Sequence, residues 1–90
     1  MTHIWIFKGE GASPFPSGVF SEKEKADNWI KNNKLSGVLI EYPLDISLYE
    51  WAISSGLFTP KNELQETPKF IQNFTCASTN HFHYIDGVEE

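Results

Sequence analysis

Two histidines two positions apart, His81 and His83, have the spacing with the most direct chemical meaning in this chain. Alternate side chains of a β-strand point to the same face, so both imidazoles are expected on one face. Such a pair can converge on a tetrahedral metal ion, with a third ligand from His3, Glu10 or Asp86. The alternative is a pair of solvent-facing surface histidines. Because two ligands without a defined third are a weak motif, we predict that no metal is bound.

Residues 9–20 read GEGASPFPSGVF and follow an apolar run. A glycine-rich loop after a strand can hold phosphate, but it then needs a Lys and a Ser or Thr that open a helix. Here Glu10 places a negative charge in the loop, and no such Lys follows. We therefore predict a structural loop that reverses the chain. Phe15 is predicted to be its hydrophobic plug, restricted by the prolines on either side.

The cysteine and the carboxylates are two further candidates for catalysis. Cys76 is the only cysteine, and its apolar neighbours are typical of a buried, unreactive thiol. It excludes an internal disulfide and fits a reducing compartment. Among the carboxylates, Glu41 and Asp45 show no spacing that singles out an acid–base pair. The sequence therefore favours binding over catalysis, and no cofactor is expected.

The composition favours a protein partner. Aromatic residues make up 14% of the chain, more than one small core can bury, and the net charge is −5. Exposed aromatic rings beside acidic groups are typical of protein-binding surfaces, and an acidic chain repels nucleic acid but attracts a basic protein. The residues predicted to contact the partner are Glu10, Phe15, Glu41, Tyr49, Glu50, His81, His83 and Asp86.

Apolar runs predict strands near residues 3–9, 37–44 and 81–87, with a short additional strand at residues 18–20. The first run is apolar on both faces, which is typical of a strand that is central or covered on both sides. The last run ends in an Asp-Gly turn, and the final three residues are predicted to form a solvated tail.

Three helices are predicted from their starting signals. Ser21 with Glu24 forms a capping box for the first helix, and Asp45 is the expected cap of the second. Thr67 followed by a proline predicts the start of the third. Together these elements predict one α+β domain, residues 1–90. Its fold would be a single three- to four-stranded mixed sheet with about three helices packed on it.

The longest strongly apolar run, Ile4–Phe7, is far too short to span a bilayer, and the chain begins without a signal-peptide pattern. We therefore expect a cytoplasmic protein with no membrane partner.

The chain resembles a family of short bacterial proteins that is classed only as a domain of unknown function. The resemblance covers nearly the whole chain and is carried by the motifs WIF.GE, FPSGVF, YPLD, YEWA, GLFTPK and H.HY.DG. It implies a small stand-alone protein of the kind found among bacterial accessory genes, including toxin–immunity loci. It implies no reaction, cofactor or catalytic residue.

These observations lead to two functional hypotheses. The first is an immunity or regulatory protein that neutralises a basic partner, for example a nuclease toxin. The alternative is a small enzyme or a metal-dependent ligand-binding domain that uses His81, His83 and Glu10. Binding predicts an acidic and aromatic surface without a deep pocket, whereas catalysis predicts a cleft in which these three residues converge.

Overall fold

The computed structural model describes residues 3–90, which form one five-stranded sheet and three helices. The strands are β1 (His3–Gly9), β2 (Gly18–Phe20), β3 (Gly37–Pro43), β4 (His81–Ile85) and β5 (Val88–Glu89). The helices are α1 (Lys23–Asn33), α2 (Leu48–Ser54) and α3 (Pro68–Gln72), and a 3-10 helix at Glu63–Glu66 precedes α3. The predicted α+β class with one sheet and about three helices is confirmed.

The strand order is β2-β1-β3-β4-β5, and every neighbouring pair is antiparallel. The predicted mixed sheet of three or four strands is therefore wrong. β2 and β3 run parallel to each other, but they lie on opposite sides of β1, so no parallel pair is adjacent. As predicted, residues 10–17 reverse the chain between β1 and β2. α1 then connects β2 to β3, which lies on the other side of β1.

The fifth strand comes from the predicted tail. Asp86 and Gly87 both have positive φ, 49° and 85°. Two successive residues with positive φ form the tight turn that matches the twist of a hairpin. The chain therefore turns back, and Val88 pairs with Ile85. The last residues are exposed to solvent as predicted, but they extend the sheet and do not form a free tail.

The main core lies between α1 and one face of the sheet. Ala26 and Ile30 of α1 are fully buried against Phe7, Leu39 and Tyr84. The strand register places these side chains on one face, because Phe7 lies directly opposite Leu39 in the antiparallel pair of β1 and β3. Partly buried side chains surround this core: Trp5, Phe20, Trp29, Leu35 and Phe82.

The helix starts follow the prediction only in part. α1 is preceded by Glu22, whose backbone is extended and whose side chain makes no capping hydrogen bond. Ser21 therefore lies one residue too early to cap it, and the predicted capping box is wrong. Ser47, and not Asp45, caps α2, because its hydroxyl accepts a hydrogen bond from the Glu50 amide at 3.1 Å.

Asp45 instead has a φ of 63° in the turn that precedes α2. The third start is as predicted: Thr67 accepts a hydrogen bond from the amide of Phe70, and Pro68 occupies the first turn.

A second, smaller core joins α2 to α3. Four aromatic rings, those of Tyr49, Phe58, Phe70 and Phe74, pack with centroid distances from 4.9 to 6.3 Å. The hydroxyl of Tyr49 donates to the carbonyl oxygen of Gln65 at 2.8 Å, so its polar end is satisfied within the cluster. These rings hold α2 and α3 together beside the sheet.

A polar cluster fastens α1 to β4 and β5. Lys23 lies 2.9 Å from Asp27 and 3.1 Å from Glu89. The hydroxyl of the buried Tyr84 donates to Asp27 and lies 3.3 Å from Glu89. Burial, followed by the hydrogen bond to Asp27, raises the pKa of Tyr84 well above its usual range. Burial lowers the pKa of Lys23, but its hydrogen bonds to the two carboxylates outweigh that effect and raise it overall.

This cluster predicts that the protein loses stability at alkaline pH. Above a pH of about 10, tyrosines of the unfolded chain release protons that folded Tyr84 retains, so stability falls as pH rises. Lys23 contributes in the same direction, because its stabilisation is complete below its unfolded pKa and is lost above it. Urea unfolding at several pH values should show a smaller decrease for Tyr84→Phe. Tyr42→Phe, outside the cluster, should keep the full decrease; equal curves for the two variants would contradict the assignment.

Candidate functional site

The face of the sheet opposite α1 is the candidate site. We call it the open face and define it by the side chains of Ile4, Ile6, Val38, Ile40, Tyr42, His81 and His83. The register brings them together, since Ile6 lies opposite Ile40, and Ile40 lies opposite His81. α1 packs on the opposite face, and the apolar side chains of the open face stay partly accessible. An exposed apolar face of this kind is unusual on a monomer and is typical of an interaction surface.

Two chain segments border the open face. On one side the loop of residues 10–17 contributes Pro14 and Pro16, which with Ile6, Ile40 and Tyr42 line a cavity of about 370 Å³. The hydrogen bond from the Ser17 amide to the Phe7 carbonyl, 2.9 Å long, holds the end of this loop against β1. The loop therefore forms one wall of the site.

The opposite wall is the segment that leads from α3 into β4. Cys76 and Thr79 of this segment line a second cavity of about 270 Å³, together with Leu48 of α2. Ile40 and Tyr42 line this cavity as well as the first, so the two cavities adjoin each other on the sheet. The thiol of Cys76 is half-buried and free.

A third cavity of about 390 Å³ lies at the end of the open face nearest the loop. Lys8, Glu10, Val38 and His83 line it. It shares Lys8 with the first cavity and Val38 with the second. We call this row of three adjoining cavities the depression; its floor is apolar and one end is polar.

The edges of the sheet extend the apolar surface. Val19 of β2 lies opposite Ile6, so it faces the same way, and its side chain is exposed. At the other edge Ile85 and Val88 are also exposed on this side. The open face therefore carries aliphatic side chains from one edge of the sheet to the other.

Four of the eight predicted contact residues meet at the open face. Glu10 lines the end of the depression, His81 and His83 are exposed on β4, and Phe15 lies between the two prolines of the loop wall. The side chain of Phe15 is 75% exposed, so the prediction that it plugs the loop is wrong. The prolines, not the ring between them, line the cavity beside the sheet.

The other four predicted residues lie elsewhere. Tyr49 is only 9% exposed, because it is the centre of the second aromatic core, so it is not available to a partner. Glu41 is on the face opposite the open one, where it accepts a hydrogen bond from the Asn80 amide at 2.9 Å. Glu50 is exposed on α2, and Asp86 is in the hairpin turn.

Sequence reasoning missed the floor of the site. Ile6 belongs to the apolar run Ile4–Phe7, and Ile40 follows Val38 and Leu39; such runs suggest burial on both sides. The useful signal was helix length, since among the helices of residues 3–90 only α1 is long enough to cover a face of a five-stranded sheet.

Among residues 3–90, no third His, Cys, Asp or Glu joins a pair to complete a metal-binding cluster. Glu10 and His83 share a cavity, but His81 lines the adjacent one, so the three residues predicted to converge in a catalytic cleft do so only in part. The longest helix in the same range, α1, has 11 residues, and no helix there could span a membrane.

Comparisons with curated proteins and with solved structures found no match to this chain. A comparison with family models found one that covers residues 4–90, described as a domain of unknown function. The match includes all of the sheet except its first residue, as well as the three helices and the open face. The resemblance seen in the sequence is thus confirmed, and the chain belongs to the DUF7710 family of domains of unknown function.

Proposed function

We propose that this protein is a binding module that engages a basic protein partner through the open face, as an immunity or regulatory protein does when it neutralises a toxin such as a nuclease. The observation that carries the proposal is the partly accessible apolar face of the sheet, with its row of adjoining cavities bordered by polar groups. Protein interfaces are built in this way, with an apolar centre and a polar rim.

The shape of the depression favours a protein over a small molecule. A small-molecule site is usually a concave pocket that encloses most of its ligand, with a few convergent polar groups. Here the depression is open along its length, and aliphatic side chains such as Val19 and Ile85 continue it to both edges of the sheet. Its floor of Ile6, Ile40 and Tyr42 would supply the desolvated centre at which binding energy concentrates.

Charge supports a basic partner. The chain carries a net charge of −5, and although Lys8 accompanies Glu10 at the polar end of the depression, the chain as a whole is acidic. A field of this sign accelerates the encounter with a cationic protein and disfavours nucleic acid. A reducing, cytoplasmic setting fits the single free cysteine.

The proposal predicts that a photo-crosslinker at position 15 captures the partner. Benzoylphenylalanine adds a benzoyl group to the ring, and position 15 can accommodate it because the Phe15 side chain is 75% exposed. The matched control is the same crosslinker at Leu64, which is also 75% exposed but lies on the 3-10 helix, outside the open face. In the native host, we expect position 15 and not position 64 to give a discrete adduct with a basic protein.

Mass spectrometry of the adduct then identifies the partner and the contacted peptide. Equal adducts from both positions, or none from position 15, would contradict a specific interface at the open face. An acidic partner would contradict the electrostatic part of the proposal.

A further inference from the structure

Against the prediction drawn from the sequence, we propose that His81 and His83 form a two-ligand site for a divalent ion of the zinc class, meaning Zn²⁺, Cu²⁺ or Ni²⁺, on the open face. The site would bind the ion in the free chain. It therefore stands apart from the proposed function, and either can fail without the other.

The ring of His81 is oriented by the backbone. Its Nδ1 lies 2.9 Å from the carbonyl oxygen of Thr79. A carbonyl can only accept a hydrogen bond, so Nδ1 carries the proton and donates it. In the neutral imidazole the lone pair is then on Nε2, which is left to bind a ligand. Metal-binding histidines commonly make this second hydrogen bond to a backbone carbonyl, because it holds the ring in place.

The distance between the rings fits a shared ion. The centroids of His81 and His83 are 5.7 Å apart, and the ring planes are inclined by 85°. With a Zn–N bond of about 2.0–2.1 Å, an ion lies about 3.2 Å from the centre of each ring, and a tetrahedral angle then separates the centres by about 5.2 Å. The observed separation is about half an ångström larger. Small rotations of two exposed side chains can close that difference.

The donor atoms determine which ions would bind. Two imidazole nitrogens suit Zn²⁺, Cu²⁺ and Ni²⁺, whereas Mg²⁺ and Ca²⁺ require oxygen ligands. Within residues 3–90 no third side chain of a ligating type joins the pair, so water would fill the remaining positions. Such a site binds reversibly and keeps an open position on the ion, as catalytic zinc sites do and closed structural sites do not.

Isothermal titration calorimetry of protein whose affinity tag has been removed, near neutral pH, tests the proposal with the chloride salts of zinc and magnesium. We expect one Zn²⁺ per chain and no saturable heat with Mg²⁺. His81→Ala and His83→Ala should each weaken Zn²⁺ binding at least tenfold. His3→Ala is the matched control and should change the affinity less than twofold, since the β1–β3 register places His3 on the opposite face.

Circular dichroism of each variant shows whether it is folded, and His83→Gln offers a second variant that keeps a polar side chain at an exposed position. Titrations without saturable zinc binding would overturn the proposal, as would unchanged affinity in both His83 variants. Loss of binding in His3→Ala alone would also overturn it, because the ion would then be bound elsewhere.

Discussion

Replacement of Phe7 by alanine is expected to lower the free energy of unfolding by about 3–5 kcal/mol, the usual cost of removing a buried phenylalanine ring. Phe7 is 2% exposed and lies at the centre of β1. Its ring meets Trp29 of α1 edge-on, with centroids 5.6 Å apart, and Leu39 lies directly opposite on β3. Because Leu39 and Ile30 are themselves fully buried, they cannot easily move into the cavity. Small domains are stable by about 5–15 kcal/mol in total, so this variant should be close to unfolding.

The matched control is Phe15→Ala, which removes the same side chain from a position that is 75% exposed. Its unfolding free energy should stay within about 0.5 kcal/mol of the wild type, as for most surface substitutions. Urea denaturation followed by tryptophan fluorescence measures both variants. If Phe15→Ala lost as much stability as Phe7→Ala, the loop would hold a buried plug after all, and the exposure of its ring at the edge of the open face would be wrong.

Local elements were the most predictable part of this fold. The apolar run at residues 3–9 coincides with β1, and the Thr67–Pro68 pair does begin α3. Both signals act within a few residues, since strand alternation and helix capping depend on close neighbours. The prediction failed where two candidate caps lie close together. Asp45 and Ser47 are both good cap residues, and the positive φ of Asp45 places it in the turn before α2.

Pairing between distant segments was much less predictable. The sequence contains the Asp86–Gly87 turn, but a two-residue strand after it is too short to be recognised by periodicity. The strand order depends on which edge of β1 remains free after β2 has paired with it, and this is decided by tertiary packing. The prediction of a mixed sheet failed for that reason.

The candidate site could be predicted only through its polar residues. His81, His83 and Glu10 stand out in the sequence because their side chains can do chemistry, and they do meet at the open face. Its apolar floor did not stand out, because Ile40 reads as an ordinary core residue in a strand. Whether such a residue is covered depends on the length and placement of the helices. Here α2 and α3 pack around the second aromatic core and leave the sheet face accessible.

Replacement of Gly37 by alanine is expected to cost about 3 kcal/mol, the upper end of the range for an overpacked site. Gly37 begins β3, where the backbone of β1 approaches it closely. A Cβ atom there would collide with the carbonyl oxygen of Lys8, and would lie 2.9 Å from the Cα of Gly9 and 2.8 Å from the ring of Phe7. The first two atoms belong to the backbone of β1. Relief therefore requires the central strand pair, which also forms the floor of the open face, to separate locally.

Gly9→Ala is the matched control, because Gly9 lies directly opposite Gly37 in the same strand pair. A Cβ at Gly9 would meet only the ring of Phe7, at an ordinary contact distance of 3.8 Å. Its stability should be unchanged or higher by up to about 1 kcal/mol, since alanine restricts the unfolded chain more than glycine does. Thermal or urea unfolding of the two variants compares the same added methyl group at paired positions. Similar losses in both would show that the strand pair tolerates no methyl group on either side, and that the close approach at Gly37 does not set the cost.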